Sequence, residues 1–180
     1  MIKTIDIAST ESRDLYKYLS NTITPRPIAL VSTIDSEGNK NLSPFSFFNV
    51  FSINPPILVF SPVRRVRNNS SKDTLNNLHQ IKECVIALVT EEIGQQVSLT
   101  SCEFSTNINE FQKGGFTEVK SEEIIPPRIK ESPVNFECKV NKIVNLGEKG
   151  GAGSLVLCEV LKIHVNENIL DENEIIDPIK

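Results

Sequence analysis

The stretch from Ser43 to Asn77 combines three chemistries in a fixed order. A short polar and aromatic run comes first, Ser43-Pro44-Phe45-Ser46-Phe47-Phe48-Asn49. The apolar segment Pro56-Ile57-Leu58-Val59-Phe60 and Ser61 follow, then Arg64, Arg65 and Arg67, and finally Lys72, Asp73 and Thr74 at the start of a helix. Guanidinium forks pair naturally with carboxylate or phosphate. The free N–H groups and positive dipole end of a helix attract the same anions. Ser70 or Ser71 is placed to cap that helix, Lys72 adds charge and Thr74 a hydroxyl donor. Taken alone, such a start is more often a capped and solvated helix; the nearby arginines are what point to an anion.

The aromatic end has its own logic. Phe45 and Phe47 share one side of a strand and Phe48 faces the other, so at least two of the three belong to a core. Ser46 and Asn49 are small hydrogen-bonding groups beside a sharp break, suited to the polar edge of an isoalloxazine or a nucleobase. A ligand flat and aromatic at one end and anionic at the other fits both ends. Flavin mononucleotide is one.

Elsewhere the chain is sparse in reactive constellations. His79 lies in a polar helical stretch and His164 alternates out of the last clear strand; both read as surface or satisfied structural histidines, with no triad or metal set around them. Cys84, Cys102, Cys138 and Cys158 are widely spaced without a CxxC pair. Cys84, Cys138 and Cys158 fall in strand-like segments and read as buried free thiols. No HExxH, Walker A loop, GxSxG or GxGxxG is present, which removes the metalloprotease, P-loop, hydrolase and dinucleotide-fold readings.

The elements that must position these residues are short and mostly β. A first amphipathic helix is expected from Glu11 to Leu19, capped by Ser9 or Thr10, before Thr24-Pro25-Arg26-Pro27 ends it. Strands follow at Ile28–Thr33 and Asn41–Ser46, joined by a turn at Asp35–Gly38, and at Pro56–Phe60, the last buried on both faces. A helix from Ser71 to Ile81 precedes a strand at Cys84–Val89. Thr90-Glu91-Glu92 would cap a short helix carrying Ile93 and Val97. Ser98–Pro127 reads as a polar surface excursion with a helical turn near Asn109–Phe111. Two long alternating strands, around Val134–Val140 and Leu155–Ile163, close the core, and Gly147–Gly153 is the hairpin loop between them. Six or so strands with inserted helices favour a β-barrel with peripheral helices over a doubly wound sheet.

At 180 residues, with 19 basic and 23 acidic side chains and a net charge of -4, the chain is expected to form one domain and to bind neither nucleic acid nor an anionic membrane surface. The N-terminus lacks a long apolar run and no segment reaches membrane-span length, so a soluble cytoplasmic protein is expected. An OB-like nucleic-acid module would use the same phenylalanines and arginines as a stacking and phosphate surface, and the acidic balance argues against it.

The residues TPRPIALVSTIDSEGNKNLSPFSFFNVFSINPPILVFSP, then RR and KDTLNN, resemble the flavin reductase-like proteins of the FMN-binding split-barrel fold, close to the flavoredoxin group. The likeness continues through Glu91-Glu92, LTSCEF, PPRIKESPVNFECKV and GAGSLVLCEVLKIHV and covers nearly the whole chain. The resemblance implies a mostly β (β+α) split barrel and a homodimer with non-covalent FMN near the subunit interface. It places Ser46, Phe47, Phe48 and Asn49 around the isoalloxazine. Ser61 with Arg64 or Arg65, and Lys72, Asp73 and Thr74, would hold the ribityl and phosphate end, and Arg26 would lie near the same pocket. It implies an FMN-dependent oxidoreductase drawing on NADH, NADPH or a protein donor, or alternatively a flavoredoxin-like electron carrier reduced by a partner protein. Many NAD(P)H:flavin reductases carry Gly-Asp-His before the last barrel strand; here the stretch reads Gly151-Ala152-Gly153-Ser154. Flavoredoxin-type relatives continue past the segment matching Ile176-Asp177-Pro178 into a tail with Arg and Gly-Gly before a Tyr, whereas this chain ends at Lys180.

Overall fold

Every residue of β1 (Ala29–Ile34) is buried, so this strand is covered on both faces. The computed structural model describes residues 1–104, 108–177 and 179; the part of the expected excursion at 105–107, and the tail positions 178 and 180, lie outside them. From β1 the chain turns at Asp35, whose Oδ1 accepts from the N–H groups of Glu37 and Asn39 while Gly38 takes a φ of +90°. It returns antiparallel as β2 (Lys40–Phe45), with Ser32 opposite Leu42.

A second hairpin pairs β3 (Phe48–Ile53) with β4 (Pro56–Phe60). Helix α2 (Asp73–Gln80), strand β5 (Glu83–Leu88), and the short helices α3 (Gly94–Thr100) and α4 (Glu110–Gly114) follow. A small ribbon of β6 (Glu118–Val119) and β7 (Arg128–Ile129) precedes the long hairpin of β8 (Val134–Asn145) and β9 (Ser154–Val165). Helix α1 (Ser12–Thr22) comes before β1 and has no buried residue.

The main sheet has seven strands in the order β2-β1-β5-β8-β9-β4-β3. Four strands separate β2 from β4, yet the rings of Phe45 and Phe60 lie 5.2 Å apart. Only a sheet that curls on itself brings them together, and β2 and β3 remain its two edges. The result is a split β-barrel. Its interior holds Ala29, Val31, Leu58, Ile86, Val140 and Val156 besides the two rings, and α2 closes it with Leu75 and Leu78. A second apolar cluster covers the outer faces of β1, β2 and β5: Leu30, Leu42, Val85 and Ala87 pack against Ile93, Val97, Phe111, Phe116 and Ile129.

The mostly β architecture and the two long closing strands are as the sequence implies. Differences are local. β3 falls where the sequence reading assigned no element, and only Ser46 and Phe47 separate it from β2. The segment from Ser98 onward is not wholly superficial, because Phe111 is fully buried and Phe116 nearly so. None of the proposed serine and threonine caps forms. Glu11, Lys72 and Ile93 occupy the cap positions of α1, α2 and α3 without a side-chain bond, while Ser9 and Thr10 bond back to Asp6. Cys84, Cys138 and Cys158 are buried free thiols as expected, with Cys84 Sγ and Cys158 Sγ 3.8 Å apart, and Cys102 is exposed.

His79 is exposed, and His164 is the satisfied structural histidine its position suggested. Its Nε2 lies 2.7 Å from Oε1 of Glu137, a carboxylate with no exposed side-chain surface. Glu137 also accepts from the N–H groups of Glu122 at 2.9 Å and Glu123 at 2.7 Å, with Arg128 Nε 3.7 Å away. Burial alone would raise its pKa, but these backbone donors and His164 outweigh it and hold the carboxyl below its usual value. One buried anion thus pins the connection ahead of β7 against β8 and β9.

Glu137→Ala leaves two backbone donors and His164 without their acceptor, and should cost about 3 kcal/mol of unfolding free energy at neutral pH. Because the folded pKa is depressed, this contribution is complete above the unfolded glutamate value of about 4.3 and is lost as pH falls through the lower folded value. Urea titrations should therefore show the gap between wild type and variant narrowing in acid; a gap constant with pH would show that the anion is not what holds the connection.

Candidate functional site

The start of α2 gathers charge. Lys72, Asp73 and Thr74 line one pocket together with Arg65, Asn41, Ser43 and the 100–104 segment. Arg65 is fixed there by several bonds. Its Nε donates to Glu103 Oε1 at 3.1 Å, its second nitrogen donates to Ser70 Oγ at 3.2 Å and to the Ser71 carbonyl, and the third lies 3.6 Å from Asp73 Oδ2. Glu103 also receives Arg67 at 2.8 Å. Arg64 is turned elsewhere: it donates to the side chain and carbonyl of Asn69, at 2.9 and 2.6 Å, and braces its own loop. Of the two arginines the sequence left open, Arg65 is the one beside Lys72.

Thr74 is almost fully buried, and its hydroxyl donates inward to Asn41 Oδ1 at 2.7 Å. Asn41 in turn donates through Nδ2 to Glu110 Oε1 at 2.9 Å, and the Leu42 N–H reaches Glu110 Oε2 at 3.3 Å. Burial pushes the Glu110 carboxyl up, against the donors that stabilise its charge. This chain ties the helix start to β2 and α4. Asn41 and Glu110 carried no motif and were not singled out from sequence, since both lie in polar stretches and only the fold buries them.

The aromatic candidates sit at the β2–β3 corner. Phe47 is partly exposed, with the guanidinium of Arg26 5.8 Å above its ring and the ring of Tyr16 6.5 Å away. Arg26 donates to the carbonyls of Ser20 and Ile23, and its Nε is buried without a partner. Phe48 packs on the barrel interior, whereas Ser46 is half-buried and Asn49 exposed. The Asn49 side chain accepts from the Val50 N–H at 2.8 Å. Ser61 joins this corner to the arginine loop through its N–H, which donates to the Phe47 carbonyl at 2.9 Å. Gly153 closes on the same residue: a Cβ there would lie 2.5 Å from Ser61 Oγ.

The residues therefore sort into a group at the start of α2 (Arg65, Lys72, Asp73, Thr74) and an aromatic group (Arg26, Phe47), linked through Ser61. The Lys72 side chain makes no hydrogen bond or ion pair with any described residue. Its ammonium and the Arg26 Nε are donors left over by the protein's own bonding, which fits a ligand with a phosphate and a flat ring. No group of three His, Cys, Asp or Glu able to hold a metal exists among the described residues, and none of their helices is long and apolar enough to cross a membrane.

Comparison with known proteins bears on this arrangement. A protein of Aquifex aeolicus is 41% identical over 167 residues, covering 93% of this chain and 83% of its own. YwrF of Bacillus subtilis is 35% identical over 162 residues, covering 89% and 78%. The crystal structure of nitrilotriacetate monooxygenase component B from Bacillus cereus matches with a TM-score of 0.90 at 29% identity, covering 97% of this chain and 87% of that one. Residues 20–177, which include both groups of the site, match the family described as flavin reductase like domain. With its split barrel, its charged helix start and its aromatic corner, the chain belongs to the flavin reductase-like family.

Proposed function

We propose that the chain binds FMN non-covalently and works as an oxidoreductase of the NAD(P)H:flavin reductase type. The observation that carries this reading is the unpaired Lys72 beside the fixed Arg65 at the start of α2. A phosphate there meets two cations and free helix N–H groups. Bound flavin supplies the hydride and electron chemistry; the side chains bind and orient.

Each residue then has a task. Lys72 and Arg65 neutralise the phosphate, with Asp73 and Glu103 holding Arg65 in place. Thr74 and Asn41 fix the first turn of α2. Phe47, backed by Arg26, offers a face to the ring, and Ser46, Asn49 and Ser61 supply polar groups along its edge. Phe48 anchors the corner to the core. Arg64 supports the loop rather than the ligand.

The reading includes a homodimer. Edge strand β3 turns Val50, Phe51 and Ile53 outward at 59, 70 and 88% exposure, an apolar stripe that a second copy would bury. A second role, an electron carrier reduced by a partner protein, draws support from Gly151-Ala152-Gly153-Ser154, where this chain offers no imidazole to a nicotinamide. Anaerobic oxidation of NADH and NADPH with added FMN separates the two: turnover with either supports the reductase, and flavin reduced only through a protein donor supports the carrier.

The purified protein should take up one FMN per chain and show an oxidised flavin spectrum; no uptake at micromolar FMN would refute the reading. Lys72→Ala should weaken FMN about tenfold, equivalent to roughly 1.4 kcal/mol, and leave riboflavin affinity nearly unchanged, because only FMN carries the phosphate. Equal losses for both ligands in a fluorescence titration would assign Lys72 a structural role instead.

A further inference from the structure

Beside Phe47 runs a groove of about 700 Å³ between α1 and the barrel. Leu15 and Leu19 of α1 form one wall, Val63 and Val66 the other, and Tyr16 and Phe47 contribute two rings. This is the size of a pocket for a small organic molecule. Tyr16 is 58% and Phe47 37% exposed, so both rings have faces to offer.

The lining also carries a specific charge. Arg67 reaches the groove and shares Glu103, at 2.8 Å, with Arg65. Arg13 lines it as well, and its side chain makes no hydrogen bond or ion pair with any described residue; it feels the charge of the neighbouring Asp14, whose carboxylate is hydrogen-bonded to Lys17 at 2.8 Å. Among the described residues no carboxylate lines the groove. An apolar slot with exposed aromatic surface and guanidinium charge selects a molecule that is flat and apolar over most of its surface and anionic at one end.

We infer that this groove is the seat of the second substrate, and that it takes aromatic carboxylates. The inference rests on the flavin reading above for what the substrate does, since Phe47 is shared between the groove and the flavin corner. It does not rest on that reading for binding. Arg13 holds the carboxylate through a charge-assisted fork, Tyr16 holds the ring, and the aliphatic walls exclude water.

The test uses 2-naphthoate and its neutral isostere 2-naphthamide, titrated by calorimetry into protein with and without saturating FMN. Saturable binding of naphthoate is expected, about tenfold tighter than naphthamide. Arg13→Ala should remove that preference by weakening naphthoate about tenfold and sparing naphthamide. Tyr16→Ala should weaken both. Arg13 and Tyr16 lie on a helix with no buried residue, so thermal melts should show the variants folded. Equal affinity for the two compounds, an unaffected Arg13→Ala variant, or no saturable binding would each overturn the inference. So would a dimer that binds no naphthoate while monomer obtained by dilution does, because the groove would then belong to a second copy. Naphthoate binding with full dependence on Arg13 but no FMN uptake would overturn the flavin reading and leave the groove's selectivity standing.

Discussion

Contact between the rings of Phe45 and Phe60 is the constraint on which the rest of the molecule depends. It requires a seven-stranded sheet to curl until β2 approaches β4, and that curl produces an interior that α2 can close with Leu75 and Leu78. Docking of α2 then fixes where its first turn emerges. Because the break after Phe45 is only two residues long, the same contact also sets Phe47 at the barrel rim. A core contact thereby places both ends of the candidate site on one rigid body, as a site that must hold a rigid ligand requires.

Charge in the site is arranged by the same economy. Arg65 is surrounded by Glu103, Asp73 and Ser70, so its guanidinium is oriented before any ligand arrives. The Lys72 ammonium has no such partners. On the proposed reading the pair divides the work of anion binding between a preorganised fork and an unpaired ammonium, while buried Glu110 and Asn41 hold Thr74 from behind. Glu137 plays the equivalent part on the far side of the sheet, where one buried carboxylate collects donors from a segment without regular structure.

What the sequence disclosed follows from the range of the interactions involved. β1, β4, β5 and the β8–β9 hairpin announce themselves through local apolar runs and alternation, and the buried cysteines through the strands they occupy. β3 was hidden because Asn49 and Ser52 punctuate it and Pro55-Pro56 follow, so turn chemistry masked an exposed edge strand. The burial of Phe111 was invisible because it depends on contacts with β1 and β2 far away in sequence. For the site, charge and aromatics marked the right neighbourhood, and the resemblance to flavin reductases proposed their ligand. The separate tasks of Arg64 and Arg65 came only from the folded loop, since Asn69 and Glu103 are the partners that divide them. The groove along α1 was equally illegible: an amphipathic helix was expected there, and nothing in its sequence shows that the structure leaves its residues unburied.

Gly153 carries a consequence of a different kind. The space a side chain would need there is filled by Ser61, the residue that also ties the arginine loop to the aromatic corner. Any larger residue at 153 would first have to turn the Ser61 hydroxyl aside, while the Ser61 N–H could keep its bond to Phe47. A histidine at 153 would therefore enter the junction between the arginine loop and the aromatic corner, and the room left for one serine rotamer sets how readily the barrel accepts it.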